Sequence, residues 1–433
     1  MKIAFIGTGY VGLVSGVMMS HLGHDVVCLD VDENKINKLK NKEAPIYEAG
    51  LDEYLAKYAN SPALQFVLGY DATIQDTDCL FVTVGTPPKE DGDADLSGIF
   101  DAVQNACKYV RSECVIVLKS TVPPGTCAQV REFMQNQGKT IHIVSNPEFL
   151  REGSAIKDFL EPDRIVIGAE SEHAFEVMRQ IYKPLTDAGV RLIETDLATS
   201  ELIKYASNMF LANKIAFINE MADLCEVIGA DISTLSTGVG TDKRIGEAFL
   251  KAGPGFGGSC FPKDILALQQ LSKKVDSDFL VLDAVIKANS NRPGRMLKKI
   301  SKAIGGDING KKFAVLGLTY KAETDDLRSS PAIDLINLLQ EKGGHVVAYD
   351  PEGMVNADKY FRKLDCASSA MSAIEGADAI IIATEWEELK KIDLEQAKRV
   401  ARKPVIIDLR NILCPKEVLS KGFEYYSIGR KNY

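Results

Sequence analysis

The N-terminal segment constrains the fold most strongly, because it reads as strand, glycine turn, helix and second strand. The apolar run KIAFIG leads directly into GTGYVG, in which Gly7, Gly9 and Gly12 form a G-x-G-x-x-G pattern that opens a helix. The next strand, DVVCLD, ends at Asp30. These glycines allow a tight turn, close passage of a pyrophosphate and close packing of helix on strand. The segment therefore predicts a dinucleotide-binding βαβ unit, with Tyr10 and Val11 beside the phosphates.

Asp30 indicates which dinucleotide binds. A carboxylate at the end of the second strand accepts hydrogen bonds from the adenosine ribose diol, and its charge repels a 2′-phosphate. The sequence therefore favours NAD over NADP. Lys35 lies just beyond Asp30, where its ammonium would either contact the ribose or remain a solvated helix lysine.

Strands and helices continue to alternate after this unit, which predicts a parallel sheet with helices on both faces. A first Rossmann-like domain is expected over 1–195. A second α/β segment begins at Lys311 and approximately echoes the first, so another Rossmann-like domain is expected over 301–433. The strand-like runs of the first domain that follow the glycine unit are 80–85, 114–120, 141–147 and 164–169.

The segment 196–300 between these domains differs from them in composition and in its pattern of apolar residues. From Asp196 to about Ile228 it contains no glycine or proline and is apolar at helical spacing. It predicts one helix of roughly thirty residues, and a helix that long and that apolar is expected between domains or between subunits. The predicted fold is thus α/β, with two doubly wound domains joined by a long central helix and a helical dimerisation region.

Composition excludes several classes of protein. A chain of 433 residues with a net charge of −9 argues against a general nucleic-acid or anionic-membrane binder. Its nine cysteines include no C-x-x-C pair, which excludes a simple disulfide framework or zinc ribbon and suits a reducing compartment. We expect no bound metal, no signal peptide, no membrane span and a cytoplasmic location.

The motif GPGFGGSCFPKD places Cys260 between a glycine-rich loop and a predicted helix start. Pro262 suits a first helical turn. The helix N-terminus and Lys263 both favour a thiolate, which is a nucleophile, and Gly257 and Gly258 leave room for a ligand to approach. The alternative is a small buried cysteine that only packs.

Polar residues elsewhere offer partners for such chemistry. Lys204 and Asn208 share one face of the long helix, where they would hold a sugar hydroxyl and a developing oxyanion or form an exposed edge. Glu148 and Glu152 follow a strand in SNPEFLREGS, where they would act as a base or cap a helix. Thr121 lies at another strand end, and the polar loop 85–98 is placed to cover the cofactor.

The second α/β domain replaces the glycine motif with GLTYKAETDDLRSSP, which carries Lys321 and Arg328. A basic pair on a strand-to-helix loop suits phosphates, although ordinary surface charge gives the same pattern. Arg410 follows a late strand, where it would face a ligand or form a surface ion pair. None of the five histidines sits in a nucleophile or metal motif, which weakens a cysteine-hydrolase interpretation.

Together these motifs resemble the UDP-glucose 6-dehydrogenases of the UDP-glucose/GDP-mannose dehydrogenase family, over essentially the whole chain. One departure is Ala49, where the family pattern has proline. The motifs that carry the resemblance are GTGYVG (7–12), STVPPGT (120–126), NPEFLREG (146–153), the helix with Lys204 and Asn208, RIGEAFLKAGPGFGGSCFPKD (244–264), GLTYKAETDDLRSSP (317–331) and DLRN (408–411).

The resemblance implies a four-electron oxidation of an alcohol to an acid, with two NAD reduced, through a thiohemiacetal and thioester on Cys260. It implies a cytoplasmic homodimer in which Arg244 reaches the partner's site, and a product, UDP-glucuronate, that feeds polysaccharide biosynthesis. The catalytic set it implies is Cys260, Lys204, Asn208, Asp264, Glu148 and Thr121. The NAD set adds Thr86, Glu152, Lys263 and Arg328 to the glycine turn, Asp30, Lys35 and Thr121. The substrate set is Glu148, Phe149, Leu150, Arg151, Glu152, Lys204, Asn208, Arg244, Phe249, Phe256, Gly257, Cys260, Phe261, Lys321 and Arg410.

Other interpretations stay open on the sequence. The same chemistry on GDP-mannose or UDP-N-acetylmannosamine is the nearest, because sequence patterns do not separate uracil from guanine. A two-electron hydroxy-acid dehydrogenase shares a Rossmann domain and a Lys/Asn pair but does not need Cys260. A non-catalytic NAD-binding or scaffold protein would not be expected to keep the cysteine, the lysine and both acids.

Overall fold

The computed structural model describes residues 1–58 and 61–431 and divides into two compact units. Met1–Ser207 and Leu266–Val275 form unit 1. Asn208–Ile265 and the chain from Asp276 onward form unit 2. The three-domain division expected at 195 and 300 stays a prediction.

Unit 1 is built on an eight-stranded sheet in the order β3-β2-β1-β4-β5-β6-β7-β8. The elements are β1 Lys2–Ile6, α1 Tyr10–His21, β2 Asp25–Asp30, α2 Glu33–Lys40, α3 Leu51–Tyr58, β3 Leu64–Leu68, β4 Cys79–Val82, α4 Ser97–Ala106, β5 Val115–Leu118, α5 Thr126–Asn136, β6 His142–Ser145, α6 Ala155–Leu160, β7 Ile165–Ala169, α7 Glu172–Asp187, β8 Leu192–Thr195 and the start of α8 Leu197–Ile228, with a 3₁₀ turn at Ala72–Ile74.

The sheet of unit 1 differs from the expectation in one respect. Strands β1 to β6 run parallel, but β7 is antiparallel to β6, and β8 is parallel to β7. The expectation of a wholly parallel sheet is therefore wrong for the last two strands. The parallel part keeps the doubly wound order, so β1 and β4 are neighbours at the point where the strand order reverses.

Unit 2 is built on a six-stranded parallel sheet in the order β11-β10-β9-β12-β13-β14. The elements are the rest of α8, α9 Ile232–Gly240, the start of α10 Phe261–Lys274, α11 Leu280–Ser290, α12 Arg292–Ala303, β9 Lys312–Leu316, α13 Pro331–Glu341, β10 His345–Tyr349, β11 Asp365–Cys366, α14 Ala370–Ile374, β12 Ala379–Ile382, α15 Glu387–Lys390, α16 Leu394–Val400, β13 Val405–Asp408, α17 Pro415–Ser420 and β14 Glu424–Ser427, with a 3₁₀ turn at Gly353–Lys359. The prediction of a second Rossmann-like domain is confirmed.

The long helix is also confirmed, as 32 residues from Leu197 to Ile228 in α8. The boundary between the units falls within α8 and again within α10. Strand β4 in the sheet of unit 1 and strand β12 in the sheet of unit 2 are buried on both faces. Their continuous apolar runs are typical of parallel sheets covered by helices on either side.

Candidate active site

The glycine turn after β1 has the shape that a dinucleotide needs. Gly7 has a φ of +98°, a conformation open to glycine. A Cβ at Gly12 would lie 1.9 Å from the Gly7 carbonyl oxygen, so α1 packs directly on the turn. A Cβ at Gly9 would meet no atom within 4 Å, and no side chain caps the N-terminus of α1. The N–H groups there are available to phosphate oxygens, so these residues fit NAD.

Asp30 at the end of β2 is held by the same turn. Its Oδ2 accepts hydrogen bonds from the N–H and the hydroxyl of Thr8, both at 2.7 Å, and its Oδ1 accepts from the N–H of Asp32. Lys35 Nζ lies 3.7 Å from Oδ2. Burial raises the pKa of Asp30, but these hydrogen bonds and the charge of Lys35 outweigh it and leave the pKa below its ordinary value. Asp30 is thus held as a carboxylate, which suits a ribose diol.

Glu148 and Lys204 form a buried ion pair in unit 1. The distance from Lys204 Nζ to Glu148 Oε1 is 3.0 Å, and each side chain is 5% exposed. The Lys204 ammonium also lies 5.3 Å from the ring centroid of Phe149, whose ring carries the Arg164 guanidinium at 3.5 Å. The sequence left open an exposed helix edge for Lys204 and a helix cap for Glu148. Neither interpretation holds, because Lys204 is buried and Glu148 does not cap a helix.

The segment 151–155 is fixed by Glu48, a residue that the sequence did not mark as functional. The Glu48 carboxylate accepts hydrogen bonds from the N–H groups of Gly153 and Ala155, both at 2.7 Å, and from the Tyr10 hydroxyl. It therefore caps α6 and ties this segment to the start of α1. Arg151 forms an ion pair with Asp158 in the same turn. Glu152, the expected NAD ligand, lies inside this segment.

Two further loops meet at the carboxyl edge of the same sheet. The Thr86 hydroxyl donates to the Thr121 carbonyl at 2.9 Å, which joins the loop after β4 to the loop after β5. The tip of the 85–98 loop is bonded to α10, because Gln270 Nε2 donates to the Asp91 carbonyl and Lys274 pairs with Asp93. The polar loop expected to cover the cofactor is therefore anchored within unit 1.

Cys260 lies at the N-terminus of α10, as the motif predicts. The helix begins at Phe261, and the Asp264 N–H donates to the Cys260 carbonyl. Cys260 Sγ is 3.5 Å from the Ser259 hydroxyl and is partly exposed. Cys260 thus keeps partial exposure at a helix N-terminus.

Asp264 is the centre of the polar contacts near Cys260. Its Oδ2 accepts from Asn208 Nδ2 at 2.7 Å, and its Oδ1 pairs with Lys263 Nζ at 2.6 Å. Asp264 and Asn208 are both buried. Since Asn208 lies one helical turn after Lys204 on α8, the long helix carries one polar residue of each unit on the same face.

The space beside Gly257 and Gly258 where a side chain would lie is occupied by the protein itself, and the approach of a ligand to these glycines stays a prediction. A Cβ at Gly257 would lie 2.1 Å from the Ser329 carbonyl oxygen, and one at Gly258 would lie 2.8 Å from the Tyr320 ring. The Gly258 N–H also donates to the Arg328 carbonyl. These glycines are required because the turn after β9 packs against the cysteine loop.

That turn and the loop after β13 are joined at Tyr320, the neighbour of Lys321. Arg410 donates through Nη2 to the Tyr320 carbonyl at 2.7 Å and through Nε to the Ala383 carbonyl at 2.8 Å, and it also forms an ion pair with Glu385. Lys321 lies next to Tyr320, with its Nζ 5.6 Å from that ring centroid. Arg328 pairs with Asp326 and is exposed.

The aromatic residues expected to bind substrate also cluster in unit 2. The Phe261 ring lies 6.1 Å from the centroids of both Phe249 and Phe256. Phe249 has a φ of +64°, a left-handed backbone conformation that is unusual for a phenylalanine. Arg244 is 89% exposed and pairs only locally with Asp242 among the contacts described.

The fold, the glycine turn with Asp30, and the polar residues near Cys260 define an oxidoreductase that binds NAD through its N-terminal unit. Three matches to family models cover the chain: the NAD binding domain of the UDP-glucose/GDP-mannose dehydrogenase family at 1–186, its central domain at 198–291 and its UDP binding domain at 314–415. The chain belongs to this family, and the predictions of family, fold and NAD as cofactor are confirmed.

Individual relatives agree with this assignment. The chain is 53% identical to a UDP-glucose 6-dehydrogenase of Rickettsia bellii over the full length of both proteins. The structure of a UDP-glucose dehydrogenase from Pyrobaculum islandicum matches with a TM-score of 0.90 and 35% identity, over 98% of this chain and 96% of that one. A UDP-D-ManNAc dehydrogenase from Pyrococcus horikoshii matches with a TM-score of 0.88 and 28% identity over all of both chains.

No helix among the described residues is long and apolar enough to cross a membrane.

Proposed function

We propose that this protein oxidises the C6 alcohol of UDP-glucose to the acid, UDP-glucuronate, and reduces two NAD in each turnover. The observation that carries the proposal is on α8. Lys204 is paired there with Glu148, and one turn later Asn208 is bonded to Asp264 on the helix that follows Cys260. An amine, an amide, two carboxylates and a thiol are the groups that a two-step alcohol oxidation requires.

In the first oxidation the alcohol loses a proton and a hydride and becomes an aldehyde. NAD, held by the glycine turn and Asp30, would supply the hydride acceptor for each of the two oxidations. Lys204 and Asn208 are hydrogen-bond donors, and they stabilise negative charge on the sugar oxygen as its proton leaves. Glu148, directly or through a water held by Thr121, accepts that proton. Burial of the Glu148–Lys204 pair excludes bulk water, which strengthens both interactions.

In the second oxidation the Cys260 thiolate adds to the aldehyde carbon, and a C–S bond forms. The resulting thiohemiacetal loses its proton and a hydride and becomes a thioester. Water then adds to the thioester carbon, the C–S bond breaks, and the acid and the thiol are released. Asp264, one helical turn after Cys260, orients that water in this proposal. The covalent link keeps the aldehyde from escaping between the two oxidations.

The remaining residues of the sequence-predicted sets bind and orient. Lys321 and Arg410 hold the UDP end, with Phe249, Phe256 and Phe261 near the base and sugar. Leu150 and Arg151 line the sugar with Phe149. The glycine turn and Asp30 hold one end of NAD, and Glu152, Lys263 and Arg328 contact it elsewhere. These assignments rest on the matching motifs and on the positions described above.

We also propose a homodimer. Phe210, Phe217 and Leu224 recur every seven residues along α8 and are 64%, 48% and 48% exposed. An exposed apolar stripe of this spacing on a long helix suits packing against a second helix. Arg244, which is highly exposed, then reaches the site of the partner subunit.

The identity of the sugar nucleotide is tested by assaying UDP-glucose, GDP-mannose and UDP-N-acetylmannosamine side by side, with the product identified by mass spectrometry. We expect an acid only from UDP-glucose, because relatives about half identical to this chain are named UDP-glucose 6-dehydrogenase. Acid formed from another sugar nucleotide would keep the mechanism and overturn the substrate. An aldehyde or ketone as the final product would overturn the covalent second step.

A further inference from the structure

We propose that Lys119 is a positioning residue for the hydride-transfer step, holding Glu148 in place and favouring its negative charge. Lys119 follows β5 directly, and its side chain is buried. It belongs to none of the residue sets derived above. The inference rests on the proposed function for the role of Glu148 and Lys204, and otherwise on contacts within unit 1.

The first support is geometric. Lys119 Nζ donates to Asn146 Oδ1 at 3.2 Å and to the Tyr182 hydroxyl at 3.3 Å. Tyr182 in turn donates to the same Asn146 oxygen at 2.6 Å, and Asn146 Nδ2 donates to the Val166 carbonyl at 2.8 Å. Every polar atom of the Asn146 side chain is therefore engaged. Since Glu148 follows Asn146 by two residues, this network fixes the segment that carries the carboxylate.

The second support is charge. The charged and titratable groups that face Lys119 are Glu148 on the neighbouring strand end, Lys204 on α8, Cys79 on β4 and Tyr182 on α7. Burial lowers the pKa of Lys119 to about 8; attraction to Glu148 opposes this shift, and repulsion from Lys204 adds to it. Two ammonium groups therefore act on one buried carboxylate.

A second cation has a chemical use in the proposed reaction. When Lys204 turns its hydrogen bonds towards a developing oxyanion, Glu148 loses part of the attraction that stabilises its charge. Lys119 stays bonded to Asn146 and Tyr182, so its charge continues to act on Glu148. Lys119 acts through Glu148 and does not need to touch the substrate.

The test is Lys119→Met, which keeps the length of the side chain and removes its charge. The first hydride transfer is followed as NADH formed in a single turnover, across pH 6 to 10. We expect its rate to fall about 10- to 100-fold, with the KM values for NAD and the sugar nucleotide within about twofold. Lys108→Met, at an exposed lysine of the same unit, is the matched control and should match the wild type.

The pH profile separates positioning from general support of the fold. Because the pKa of Lys119 is about 8, its charge is present below that pH and lost above it. The wild-type rate should therefore fall as the pH rises through about 8, and this limb should be absent in Lys119→Met. Tyr182→Phe keeps the charge of Lys119 but removes one of its hydrogen-bond acceptors. The descending limb of the pH profile should therefore move to lower pH in that variant.

Three results would overturn the proposal. One is an unchanged rate in Lys119→Met, and another is a descending limb near pH 8 that persists in that variant. The third is a parallel loss of NAD binding, which would show only structural support. The readout is the first hydride transfer, so a failure of the covalent second step leaves this test intact.

Discussion

Asp30 and Asp350 are buried aspartates at the end of the second strand of each unit, Asp30 as the last residue of β2 and Asp350 directly after β10. Asp30 accepts from the N–H of Thr8, and Asp350 accepts from the N–H groups of Leu318 and Thr319, at 2.6 and 3.0 Å. Each carboxylate thus holds the turn after the first strand of its unit. The echo between the two halves of the sequence therefore extends to single hydrogen bonds, although only the first turn keeps the G-x-G-x-x-G pattern.

Replacing Asp30 by Ala should weaken NAD binding and leave the sugar nucleotide unaffected. A hydrogen bond to a charged group contributes about 1.5–3 kcal/mol, which corresponds to about a 10- to 100-fold rise in the KM for NAD. The measurement is KM for each substrate in turn. Asp25→Ala is the control, since Asp25 is exposed at the other end of β2. An unchanged KM for NAD would remove Asp30 from the cofactor site.

The pH dependence of Asp30 has a definite sign. Its pKa in the fold lies below the ordinary value, so its ionised form stabilises the fold above that value and this contribution is lost as the pH falls through the folded pKa. Asp30→Asn should therefore lose less stability between neutral and acidic pH than the wild type does.

Cys260→Ser should stop acid formation while the sugar nucleotide still binds. We expect kcat to fall by more than about 10³-fold, because the covalent route to the thioester is removed. Binding is measured by calorimetry and turnover by NADH formation. Cys414→Ser, at an exposed cysteine outside the proposed site, is the control. Full activity of the Cys260 variant would contradict covalent catalysis.

At the scale of elements, acidic residues that are distant in sequence cap helices next to the candidate active site. The Glu201 carboxylate on α8 accepts hydrogen bonds from the N–H groups of Gly125 and Cys127, at 2.6 and 2.7 Å. It therefore caps the start of α5, where the loop after β5 ends. Burial raises the pKa of Glu201, and the same two hydrogen bonds oppose that shift. The helix that carries Lys204 is thereby tied to the loop that carries Thr121.

Glu201→Ala should destabilise the protein by about 2 kcal/mol, because it leaves buried N–H groups at the start of α5 without their acceptor. The midpoint of urea unfolding measures the loss. Glu132→Ala provides the comparison, since Glu132 is exposed on α5 itself. Equal stability of the two variants would show that this cap contributes little.

Elements were predictable wherever the signal is local. The glycine turn, the long helix and the start of α10 each follow from residues that are neighbours in sequence. The caps were not predictable, because Glu48 and Ala155 are 107 residues apart and only the fold joins them. The packing role of Gly257 was not predictable for the same reason, since the turn that packs against it lies about seventy residues further along. Lys119 carries no local motif and is recognised only through its burial.

At the scale of the whole molecule, the stripe on α8 predicts the oligomeric state. Phe217→Asp places a charge in the middle of the stripe and should convert a dimer into monomers, which light scattering after gel filtration detects. Val355→Asp, at an exposed apolar residue away from α8, should leave the dimer intact. A wild type that is monomeric, or a Phe217 variant that stays dimeric, would contradict an interface built on this helix.

The most direct measurement is the number of NADH molecules formed for each UDP-glucose consumed to completion. Two NADH, with UDP-glucuronate as the product, is the result that the covalent two-step mechanism predicts. One NADH would mean that the reaction stops at the aldehyde or ketone, and Cys260 would then be a packing residue at the end of a helix.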